Sequence, residues 1–169
     1  NAEGAEGKAM SDPDWGLGVV WAEWGEGAKP AITLVSRFAT RDVAVDLARP
    51  GKVEADRAEL ARYLKATELL PTDGIVKSTA MEITKGAKGD VEKARAIYDW
   101  ICDNTFRDPK TRGCGTGDIK YMLESRNLSG KCADLNALYV GLARAAGLPA
   151  RDVYGIRVAK SAHGYKSLG

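Results

Sequence analysis

Cys132 stands in the run Ser129-Gly130-Lys131-Cys132-Ala133-Asp134, and a long stretch with an apolar face follows at once. Leu135, Leu138, Tyr139, Leu142 and Ala146 recur at helical spacing, which predicts a helix with the cysteine in its opening turn. There the first backbone N–H groups are unpaired and carry the positive end of the helix dipole. They favour a thiolate, the reactive form of cysteine, and can also stabilise an oxyanion. The chemistry this predicts is attack by sulfur on a carbonyl carbon. Gly130 permits close approach of the backbone, and Lys131 adds positive charge beside the sulfur. The competing reading is a small buried hydrophobe without chemistry, which describes most cysteines.

The elements that must position Cys132 can be followed along the chain. Residues 1–14 are rich in Gly, Ala and Glu, and little order is expected at the very start. Residues 17–24 and 31–40 read as strands joined by the turn 25–30, so they should form a hairpin, with a third strand over 43–47. Pro50-Gly51 marks a change to helical style. The spacing predicts helices over about 54–67, 75–84 and 90–106, the last capped by Asp90, with Val91, Ala94, Ile97, Tyr98 and Ile101 on one face. The loop 111–117 is dense in glycine; it lacks the Lys-Ser/Thr ending of a phosphate cradle, and no strand precedes it. It reads instead as a wall beside the nucleophile. Asp118 should cap a short helix holding Ile119, Met122 and Leu123. Gly147 and Pro149 should end the Cys132 helix, with a strand over 151–158.

Composition narrows the function classes. A chain of 169 residues suits one domain or a domain with a small appendage, here divided as a β segment over 1–49 and a core over 50–169. A net charge of +2, with basic and acidic residues interleaved, gives no argument for nucleic acid. No apolar run approaches membrane-spanning length. Cys102 and Cys114 could pair in an oxidising compartment and leave Cys132 free. The three cysteines and His163 show none of the close paired spacing of structural zinc sites, so no metal and no cofactor is expected.

From residue 90 to 158 the chain resembles the transglutaminase-like superfamily, the bacterial branch of papain-like thiol enzymes. The resemblance is carried by Tyr98-Asp99-Trp100-Ile101, by the Gly130-Lys131-Cys132 turn with Asp134, by Arg144-Ala145-Ala146-Gly147-Leu148-Pro149-Ala150-Arg151, and by Val153-Tyr154-Gly155. It implies an α+β fold: a helical papain-like core with the cysteine at a helix N-terminus, preceded by a small antiparallel β segment. It also implies a Cys-His-Asp triad with Cys132 as nucleophile, and thiol chemistry on amides of a protein or peptide substrate. That chemistry is peptide hydrolysis or acyl transfer through a thioester. A secreted or periplasmic setting is suggested by the resemblance alone.

The pattern also has a gap. His163 is the sole histidine, and no aspartate follows it. The expectation is that the family's histidine and aspartate lie beyond Gly169 and that this chain by itself is nearly inert. His163 is then either the base or a loop histidine. Asp134 reads as a helix-start carboxylate that bonds free N–H groups. Tyr121 and Asn127 are side-chain oxyanion donors or have ordinary surface and core duty. Three functions compete: a thiol amidase or acyltransferase working through Cys132, a non-catalytic interaction module on the same fold, and a redox or metal protein.

Overall fold

The computed structural model describes residues 4–13, 16–35, 37, 39, 41–42, 44–49 and 55–155. The described residues form five helices and four strands, an α+β class. The chain divides into two units, Asn1–Val45 and Asp46–Gly169.

In the first unit, β1 (Ala5–Ser11) pairs antiparallel with β2 (Gly18–Trp24), Ala5 opposite Trp24 and Ser11 opposite Gly18. The turn closes through Asp12 N–H to the Leu17 carbonyl, 2.8 Å, and Gly16 N–H to the Asp12 carbonyl, 2.9 Å. This corrects two expectations. Residues 1–3 lie outside the described set, but Ala5–Ser11, inside the segment expected to have little order, is a strand, and the partner of β2 is β1 rather than 31–40, whose described residues carry no strand. Residues 36, 38 and 40 lie outside the described set. Gly and Ala have little preference for strands, so β1 owes its form to its partner. Gly7 helps, because a Cβ there would sit 3.1 Å from the Trp21 carbonyl oxygen. The described residues of 43–47 form no strand either. Asp46 accepts from Ala48 N–H at 3.0 Å and pairs with Arg49 at 3.2 Å, an Asx turn in place of an extended segment.

The second unit begins with α1 (Arg57–Arg62), capped by Asp56, whose carboxylate accepts from Ala58 N–H at 2.8 Å. It is shorter than 54–67. Past Arg62 the bonds tighten, Leu64 N–H to the Ala61 carbonyl and Lys65 N–H to the Arg62 carbonyl at 3.3 Å each, and the Tyr63 carbonyl accepts from Ala150 N–H at 3.1 Å while Thr67 N–H turns to the Leu70 carbonyl at 3.1 Å. Next come α2 (Gly74–Ile83) and α3 (Asp90–Asn104). Gly89, not Asp90, is the N-cap of α3, and Glu92 reaches back to Lys88 N–H at 2.7 Å. Then β3 (Phe106–Arg107), α4 (Ile119–Ser125), β4 (Ser129–Gly130) and α5 (Cys132–Ala145) complete the described elements. Asp118 caps α4 as expected, through Tyr121 N–H at 3.0 Å, and Ile119, Met122 and Leu123 are buried.

The core is built on α5. Leu138 and Leu142 are fully buried, packed in one cluster with Val76 and Ala80 of α2, Ile97 of α3 and Ile119 of α4. Gly141 lets α4 come close, since a Cβ there would overlap Ile119 Cδ1. On α3 only Ile97 of the predicted face is fully buried. Val91, Ala94 and Tyr98 border an open groove of about 700 Å³ with Tyr139, Ala143 and Leu148, and Ala94 and Ile101 also pack against the core.

The far end of α5 is tied down by charge and by glycine. Gly147 takes a φ of +88° and the helix stops, with Leu148 N–H returning to the Ala143 carbonyl at 2.9 Å. The Lys77 ammonium donates to the Ala145 carbonyl at 2.5 Å, a cation at the negative helix end. Arg144 donates to the carbonyls of Ala150, 2.9 Å, and Lys65, 2.8 Å. These bonds hold the outgoing chain beside residues 63–65. The described residues 151–155 form no strand, and 156–158 of the expected strand lie outside the described set.

Candidate active site

Cys132 is the first residue of α5, and Lys131 is its N-cap in extended conformation. The thiol is free and exposed, so the sulfur sits in the opening turn of the central helix and reaches solvent. Cys102 and Cys114 are likewise free and exposed, and the pairing considered for them is not present.

The turn before the sulfur is held on both sides. Phe106–Arg107 runs parallel to Ser129–Gly130, and Asp108 N–H donates to the Gly130 carbonyl at 2.8 Å. On the other flank, Ala133 N–H donates to the Cys114 carbonyl at 2.9 Å. Cys114 and Cys132 therefore belong to neighbouring backbone segments. No acceptor among the described residues is bonded to the Cys132 N–H.

Asp134 organises the rest. It is 6% exposed and has no side-chain cation in contact with it among the described residues. Its Oδ1 accepts from Thr116 N–H and Gly117 N–H, both at 2.9 Å, and its Oδ2 accepts from Lys131 N–H at 2.9 Å. The expected helix-start role is present in the Lys131 bond. The two bonds to the glycine-dense loop were not foreseen, since nothing local links positions so far apart. Gly115 has φ of +96°, and a Cβ at Gly115 or Gly130 would overlap the Asp134 carboxylate. The loop that superficially resembled a phosphate cradle is thus a nest of N–H groups already filled by the protein's own anion.

Tyr154 has no local signal in the sequence that marks it for this site. Tyr154 is 64% exposed; partial desolvation, then the negative charge of Asp152 and that of Cys132, Cys114 and Asp134, hold its phenol above the ordinary tyrosine range. Of the other candidates, Asn127 Oδ1 accepts from the Ser129 hydroxyl at 2.7 Å and shapes the turn into β4. Tyr121 is exposed on α4. His163 lies outside the described residues. Among the described residues no group of three or more His, Cys, Asp or Glu could hold a metal ion, and no helix is long and apolar enough to cross a membrane.

Fold and site together define a mixed α and β protein with a free cysteine opening its central helix. The chain belongs to the transglutaminase-like superfamily, whose core model matches residues 77–167. It is also 36% identical, over 151 residues, to an uncharacterized protein of Haemophilus influenzae (strain ATCC 51907 / DSM 11121 / KW20 / Rd). That match covers 85% of this chain and 41% of the relative, so the chain spans about two fifths of the curated protein it matches. No solved structure matches the chain.

Proposed function

We propose that Cys132 is the nucleophile of thiol-dependent amide chemistry, either peptide hydrolysis or acyl transfer to an amine. The observation that carries this reading is the free, exposed sulfur in the first turn of α5, within a chain of the transglutaminase-like superfamily. The superfamily is generally one of acyl transfer or peptidase activity through a thiol. Sulfur attacks the amide carbon, the Cys132 N–H receives the developing oxyanion, and an amine leaves as a thioester forms. Water or a second amine then releases the acyl group. The proton shuttle is a histidine outside the described residues, either His163 or one in further sequence of the protein.

Hydroxylamine tests the proposal. The full-length protein, given a small glutamine-containing peptide and hydroxylamine, should form a peptide hydroxamate by interception of the thioester. Cys132→Ala should lower that rate by at least about 10³-fold, the scale on which loss of an acting nucleophile is felt. Undiminished hydroxamate from Cys132→Ala would remove the cysteine from the reaction.

A further inference from the structure

We propose that Asp134 is the positioning residue of this site: its carboxylate fastens the 115–117 turn to the start of α5 and so fixes the Cys132 N–H as oxyanion donor. The inference rests on the thiol reading above. A helix start needs only the bond from Lys131 N–H, 2.9 Å, which Asp134 already makes. The two further bonds, from Thr116 N–H and Gly117 N–H at 2.9 Å each, serve no cap. They join α5 to a loop far away in sequence. Gly115 and Gly130 have no room for a side chain because the carboxylate fills it, so both backbone segments are built around this one group. Ala133 N–H, next to the sulfur, is engaged by the Cys114 carbonyl of the same loop. Cys132 N–H is left facing no acceptor among the described residues. Asp134 does not meet the substrate; it acts through the turn and through Cys132. A carboxylate is needed because both oxygens accept from fixed N–H donors, whereas an amide would turn a donor toward a donor.

Two variants of the full chain test this. Asp134→Asn removes an acceptor, while Gly115→Ala keeps the charge and displaces the turn. Cys132 is alkylated with iodoacetamide and, separately, acylated with p-nitrophenyl acetate. Alkylation forms a carbon–sulfur bond as iodide leaves, with no oxyanion. Acylation passes through a tetrahedral oxyanion before p-nitrophenolate leaves and a thioester remains. Both variants should lower the acylation rate relative to the alkylation rate by about tenfold or more, the scale of a misplaced oxyanion donor. Both should also speed amide exchange at Thr116 and Gly117 by about tenfold, with Leu142 within about twofold of the parent chain. A rate ratio unchanged in Gly115→Ala overturns the proposal, because a pure charge effect would spare that variant. If Asp134→Asn does not fold, Gly115→Ala decides alone. If Cys132 of the parent chain is acylated no faster than Cys102, the thiol reading fails and the positioning role with it, while faster exchange at Thr116 and Gly117 would still report the fastening.

Discussion

Asp152 shows how burial and charge compete at one carboxylate. Burial raises its pKa, and the nearby Arg144 guanidinium lowers it; burial is the larger effect. A carboxylate raised above its unfolded value binds its proton more tightly when folded. Its ionisation therefore costs stability as pH rises from the unfolded value through the higher folded one, and below both the cost is absent. Asp152→Asn should match the parent chain near pH 3 and be more resistant to urea at pH 7. The midpoint measured at both pH values checks this; a variant weaker at pH 7 would mean that the Arg144 attraction prevails. Asp134 marks the limit of reading residues from sequence. Its bond to Lys131 follows from helix-start chemistry, but its bonds to Thr116 and Gly117 depend on how the loop folds back.

Among the elements, α5 was legible because three signals agree: helical spacing of its apolar residues, a small-residue stop at Gly147 and Pro149 just beyond. Its burial makes a firm prediction. Leu142 is fully buried among α2, α3 and α4 residues, so Leu142→Ala should destabilise the chain by about 2–5 kcal/mol, read from the urea transition. A loss well under about 1 kcal/mol would mean that the site collapses or that α5 is not central. Elements with weaker signals were misread. β1 has no hydrophobic alternation and exists through pairing with β2; α1 ends at Arg62, and the Tyr63 and Lys65 carbonyls beyond it accept from Ala150 N–H and Arg144, distant in sequence. Neither effect is local, so neither can be seen in a short window of sequence.

For the molecule as a whole, the mixed fold class and the superfamily were readable because the Cys132 turn and the Arg144 to Arg151 run are specific in residue type and spacing. The division at Val45 and Asp46 falls near the shift from strand to helix style marked by Pro50-Gly51. The reaction proposed for Cys132 calls for a base as well as a thiol, and no histidine is among the described residues. What the described residues do supply is a helix end, a filled nest beside it and an exposed thiol.

Competitive alkylation of the three free thiols is the most direct test of that arrangement. Limiting iodoacetamide at pH 7, followed by mass spectrometry of the peptides, gives the relative rates of Cys102, Cys114 and Cys132 in one sample. All three are exposed, so access alone does not separate them. Cys132 should react about tenfold or more faster than Cys102, which sits in the last turn of α3, away from any helix start. Equal, slow alkylation of all three would contradict it.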